Sequence, residues 1–158
     1  MKMIKNEFSY NMQLLKEFYW LSMRHVFIFL ILASIFVFVL GLVFTNGTFL
    51  VLGIILLLFS LLYLVFMPIA LAKTNYQRLL ERSSGKEVMN RVCVADGKII
   101  IENVDTHNKV EYSLSSVRKI KEGKHIICLI TKARVAIMFS KDGFLEGTQE
   151  DLYSLLKK

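Results

Sequence analysis

The run VFIFLILASIFVFVLGLVF, residues 26–44, is followed by Thr45-Asn46-Gly47-Thr48 and then by FLVLGIILLLFSLLYLVFMPIALA, residues 49–72, with no charged side chain in any of it. The first run is about 19 residues, or roughly 28 Å of helix. The second is about 24 residues, or roughly 36 Å, against a hydrocarbon core of about 30 Å. The two runs therefore read as an α-helical transmembrane hairpin with spans at 26–44 and 49–72. They begin well inside the chain and lack a small-x-small site between them, which argues against a cleaved signal peptide.

The flanks orient the hairpin. Lys2, Lys5, Lys16 and Arg24 precede the first span, Lys73, Arg78, Arg82 and Lys86 follow the second, and the turn has no basic residue. The positive-inside rule then places both the N- and C-termini in the cytoplasm, as a two-pass protein of the plasma membrane. Asn46-Gly47-Thr48 matches a glycosylation sequon, but so close to the bilayer it reads as turn chemistry. Within the spans, Ser34 and Gly41 repeat at i, i+7, as do Gly53 and Ser60 on the second helix. These four residues form the expected helix–helix seam, with Gly41 level with Gly53 and Ser34 level with Ser60, because small side chains let backbones approach in lipid. A transport path fits poorly, since no ionisable group lies inside the spans. Pro68 cannot donate to the Leu64 carbonyl, so a kink or local opening is expected there.

Outward from the hairpin, residues 1–25 read as a short strand over Lys2–Tyr10 and a helix over Met12–Met23. Leu14, Leu15, Phe18 and Leu21 give that helix an apolar stripe, and Phe18-Tyr19-Trp20 suits the headgroup depth of an interfacial lead-in. Residues 73–86 read as a juxtamembrane helix and linker ending near Ser83-Ser84-Gly85. From Glu87 the period shortens to that of strands. Val88–Ala95 and Lys98–Val104 flank Asp96-Gly97, a strong hairpin signal. Lys109–Leu114 is a third strand, and Val117–Lys121 a fourth or a short irregular element. Lys124–Ile130 and Arg134–Phe139 form a second hairpin pair joined around Lys132-Ala133. A final helix starts at Thr148, with Asp151 completing the cap and Lys157 and Lys158 suiting its end. Residues 87–158 thus read as a small α+β domain, an antiparallel sheet closed by a C-terminal helix. A domain this small is marginal alone, so membrane tethering or pairing with the N-terminal segment would help it.

The order of these segments resembles that of the YcxB-like family of bacterial membrane proteins. The resemblance rests on Ala95-Asp96-Gly97-Lys98-Ile99, on Val110 to Ile120, on Ile126-Ile127-Cys128-Leu129-Ile130, and on Ala136 to Lys141 leading to Phe144. It implies two transmembrane helices before a pleckstrin-homology-like (PH-like) domain, a strongly bent antiparallel sheet capped by one helix. It brings no assigned activity and no catalytic residues. Some membrane-tethered domains of this kind act in self-protection, so the resemblance also raises immunity against a membrane-active antimicrobial peptide.

Chemistry-bearing motifs do not emerge. His25, His107 and His125 are scattered, without partners at ligand spacing. Asp96, Asp105 and Asp142 sit in turns, where their side chains cap backbone groups. Cys93 and Cys128 read as reduced, buried thiols of a cytoplasmic domain. The expectation is a non-enzyme with no catalytic residue, no cofactor and no metal. The functional signal is electrostatic, in keeping with a net charge of +7. Arg118, Lys119, Lys121 and Lys124 cluster around one expected turn, and Arg78 and Arg82 follow the second span. Such groups suit anionic lipid headgroups or an anionic partner, each worth about 1 kcal/mol near a charged leaflet. Nucleic acid is a poor fit, because aromatic residues do not interleave with the basic ones. The leading reading is a membrane-tethered binding or regulatory module that contacts membrane lipid, a protein partner or a second copy of itself. Peptide immunity and an accessory transporter subunit stay open as alternatives.

Overall fold

A computed structural model of the chain describes residues 3–156. Lys2, expected to open the first strand, and Lys157 and Lys158, expected at the end of the last helix, lie outside the described residues. Two helices are long and apolar enough to cross a membrane: α1 (Met12–Val43) and α2 (Gly47–Arg82). They pack along their length as an antiparallel hairpin, and a small α+β domain completes the molecule.

The connection is tight because Asn46 caps α2. Its side chain accepts from the backbone N–H of Thr48 at 3.0 Å and of Phe49 at 3.4 Å, satisfying donors at the helix start. Ser34, Gly41, Gly53 and Ser60 are all buried. The serine hydroxyls lie 3.2 Å apart across the interface, and each also donates to the carbonyl four residues earlier on its own helix. The glycines do not face each other as their similar depth suggested. A Cβ on Gly41 would meet Leu50 N at 2.6 Å, and one on Gly53 would meet Phe38 Cα at 2.7 Å. At both glycines the nearest atoms include backbone of the other helix, so each lets the two helices approach closely, as small residues do in lipid. α2 continues through Pro68, which is buried.

Among the described residues eight strands form the sheets: β1 (Ile4–Ser9), β2 (Met89–Ala95), β3 (Lys98–Asn103), β4 (Lys109–Ser113), β5 (Val117–Glu122), β6 (Ile126–Thr131), β7 (Ala136–Ser140) and β8 (Phe144–Glu146). The helix α3 (Gln149–Leu156) follows them. One antiparallel sheet has the order β4-β3-β2-β1-β8, and a second has the order β5-β6-β7. Residues 87–158 are therefore incomplete by themselves, because β1 fills the slot between β2 and β8. Asp96 and Gly97 join β2 to β3 with φ of 50° and 73°, the doubly positive turn that matches strand twist.

The sheets are stitched through Asn6, which is fully buried. Its Nδ2 donates to the Ser140 carbonyl at 2.7 Å, and its Oδ1 accepts from the Ser140 N–H at 3.0 Å. A side-chain amide thus reproduces a pair of ladder bonds between β1 and β7, which belong to different sheets. Gly143 is obligatory nearby, because a Cβ there would collide with the Glu7 carbonyl oxygen. The apolar run on β6 is buried from Ile126 to Leu129, as a strand covered on both faces requires. Leu152 of α3 closes the core, and Thr148 and Asp151 exchange reciprocal bonds at its start.

Met12–Met23 differs from an interfacial lead-in. It is the first part of α1 with no break before the apolar run; Leu14 belongs to the buried core of the domain, Phe18 and Leu21 pack against that core, and Leu15 is buried as well. The apolar stripe finds a sheet instead of the headgroup layer. Arg134 and Val135 leave the strand expected there, because Arg134 takes φ 63° and Thr131 closes the turn onto Val135.

Candidate functional site

The junction between α1 and the β5–β6 turn holds the charged features. Lys121 Nζ donates to the Leu21 carbonyl of α1 at 2.8 Å, across 100 positions of sequence. Lys119 Nζ lies 3.4 Å from Nε2 of His25. Glu17 of α1 accepts from the His125 backbone N–H at 2.9 Å. Gly123 permits this approach, since a Cβ there would strike the Glu17 carboxylate. These contacts clamp the small sheet onto the helix immediately before its uncharged stretch begins.

The basic cluster is correspondingly redistributed. Arg118, Lys119 and Lys121 lie on β5 and not around a turn; Lys124 alone occupies the turn. Lys121 is half-buried, and desolvation, with Lys119 beside it, lowers its pKa from the usual lysine value. It acts as an internal fastener. Arg118, Lys119 and Lys124 are exposed. Arg78 and Arg82 are exposed on α2, and Arg82 lines a separate crevice of about 700 Å³ against the β3–β4 loop. The sequence-derived set therefore does not converge on one site.

A different set does converge. A groove of about 1050 Å³ opens between α1, the Gly123-Lys124-His125 turn and Ile69 of α2. Lys16, Trp20 and Arg24 line it from successive turns of α1, at the i, i+4 spacing that puts side chains on one face. Lys124 faces them from the turn. Lys16 and Arg24 served in the sequence only to orient the hairpin. Their spacing from Trp20 was visible, but the approach of Lys124, 100 or more positions away, needed the tertiary structure.

The remaining titratable residues have structural surroundings. His25, His107 and His125 lie beside Lys119, Glu102 and Asp142 respectively. Among the described residues no three His, Cys, Asp or Glu side chains are grouped to hold a metal ion. Asn103, not Asp105, caps the β3–β4 loop, accepting from the N–H groups of Asp105 and Thr106. Both cysteines are free, Cys128 buried but Cys93 only half-buried. Burial pushes the Cys128 thiol up to about 12, with the nearby Glu17 carboxylate adding to it. Glu122 is held down at about 2 by hydrogen bonds from Lys141, Tyr153 and Gln149, which tie the end of β5 to the residue after β7 and to α3.

No family model matches this chain, and no curated protein matches it.

Proposed function

We propose that this chain is a two-pass membrane-tethered, non-enzymatic binding module. In this reading both ends face the cytoplasm of a bacterial cell, and the α+β domain sits against the inner leaflet of the plasma membrane. The observation that carries it is the continuity of α1. Its first turns lie in the domain core and its remainder is the apolar run, so the exposed cations of β5 are fixed beside the mouth of the hairpin. A rigid mount of this kind suits attraction to an anionic surface, about 1 kcal/mol per basic group. The order of segments, two apolar helices and then an antiparallel domain closed by one short helix, supports placing the chain with YcxB-like membrane proteins.

The test uses the full chain in cells. Thr48→Cys in the helix turn and Lys132→Cys in the domain are both at exposed positions. In intact spheroplasts a membrane-impermeant maleimide labels Thr48→Cys, and Lys132→Cys reacts only after lysis. The reverse pattern refutes the orientation. In nanodiscs, anionic lipid raises the unfolding temperature of the domain relative to phosphatidylcholine, and Arg118→Gln with Lys119→Gln reduces that gain. Identical melting in both lipids refutes the surface-contact reading.

A further inference from the structure

The groove beside α1 has a composition that selects its occupant. Lys16, Arg24 and Lys124 line it together, and among the described residues none of the three has an ion-pair partner or a side-chain hydrogen bond. Some other cations of the domain do have carboxylate partners: Arg91 with Glu7 at 2.7 Å, Lys98 with Glu111 at 3.2 Å, and Lys109 with Glu102 at 3.4 Å. The one carboxylate in the groove wall, Glu17, is engaged by the His125 N–H and pressed against Gly123. The groove is therefore a concave surface with three uncommitted positive charges.

Its depth adds a second constraint. Arg24 stands just before the uncharged run begins, and Ile69 belongs to the uncharged stretch of α2. One end of the groove thus opens on apolar helix surface, while Lys16 and Lys124 lie toward the sheet. Trp20, 46% exposed, sits between them, with the ring placement favoured at the headgroup layer. A soluble phosphate compound would leave the Ile69 end unfilled. A lipid would fill both ends.

We propose that this groove holds one anionic phospholipid of the adjacent leaflet, its phosphate and charged headgroup against Lys16, Arg24 and Lys124 and an acyl chain leaving over Ile69. The assignment rests on the membrane-tethered reading above and names the ligand of that junction. The lipid acts as a wedge between the span and the sheet, making the domain's attachment sensitive to the charge of its own leaflet.

Trp20 is the only tryptophan of the chain and is the reporter. The full-length protein is placed in phosphatidylcholine nanodiscs containing an equal minor fraction of chain-brominated phosphatidylglycerol or chain-brominated phosphatidylcholine. Brominated phosphatidylglycerol quenches Trp20 about threefold more strongly, a modest part of what three cations near an anionic headgroup can supply. Lys16→Gln, Arg24→Gln and Lys124→Gln together abolish the difference, whereas Arg78→Gln with Arg82→Gln, outside the groove, preserve it. All five side chains are exposed, and an unchanged melting temperature checks that each variant is folded. Equal quenching by the two lipids overturns the proposal, as does a preference that survives in the triple variant. A saturable change in Trp20 emission on adding glycerol phosphate to phosphatidylcholine nanodiscs assigns the groove to a soluble phosphate and overturns the lipid. Any of these failures leaves the labelling pattern of Thr48→Cys and Lys132→Cys intact, so the two readings fall separately.

Discussion

Asn6→Ala tests whether the domain is held together across its two sheets by one side chain. The substitution removes both hydrogen bonds to Ser140, at 2.7 and 3.0 Å. It leaves the Ser140 N–H without a partner in a region where Asn6 is 0% and Ser140 9% exposed, while the Ser140 carbonyl keeps the Gly143 N–H at 3.2 Å. An orphaned buried group costs about 1–3 kcal/mol, so the loss is about 1–3 kcal/mol. Stabilities of small domains are about 5–15 kcal/mol, so this one change removes a large share. Asn90 supplies the control. It is also buried, but its Nδ2 has no hydrogen-bond partner, so Asn90→Ala breaks no bond at that atom and costs about 1 kcal/mol or less. Urea unfolding of the full chain in micelles, followed by Trp20 fluorescence, measures both variants. A loss below about 1 kcal/mol for Asn6→Ala, or equal losses for the two, would refute the stitch.

Further outcomes follow from the same contacts. Gly53→Ala drives a Cβ to 2.7 Å from Phe38 Cα and lowers hairpin stability by about 1–3 kcal/mol, while Gly47→Ala, with nothing within 4 Å, is neutral or stabilising; equal effects in a micelle unfolding assay would count against the seam geometry. Glu122, held at about 2 against 4.5, contributes stability that is fully present above about pH 4.5 and fades as pH falls toward 2; Glu122→Gln flattens this acid limb, and a limb unchanged in the variant contradicts it. Cys128, raised from 9.0 to about 12, contributes stability present below pH 9 and lost as pH climbs toward 12. In a Cys93→Ser background its alkylation at pH 8 is at least about 100-fold slower in the folded than in the denatured chain; comparable rates would show that the thiol is accessible and ionised.

The hairpin, most strands and both turn signatures were legible because each is written in local spacing. The uncharged runs, roughly 28 and 36 Å as helix, suit a hydrocarbon core of about 30 Å, Asp96-Gly97 demands its turn, and Thr148 with Asp151 spells a cap. β8 was not legible: three residues, Phe144 to Glu146, are too few to reveal a period of two. The place of β1 was not legible either, because alternation marks a strand but not its neighbours. The apolar stripe Leu14, Leu15, Phe18 and Leu21 fits a membrane interface and a sheet equally well, and only the tertiary partner decides. The groove fared the same way. Lys16, Trp20 and Arg24 share a helix face by spacing, but Lys124 reaches them through chain folding. The basic residues that were adjacent in sequence instead alternate along β5 and spread over different surroundings.

The insertion of β1 between β2 and β8 also sets an order of events during synthesis. Asn6 emerges from the ribosome early, and its partner Ser140 follows 134 positions later. At about 5–20 residues per second, β1 waits on the order of ten seconds for that partner. Both apolar helices are made within that interval. The domain therefore closes only behind a completed helical hairpin. Chain order makes a completed helical hairpin the precondition for closing the domain.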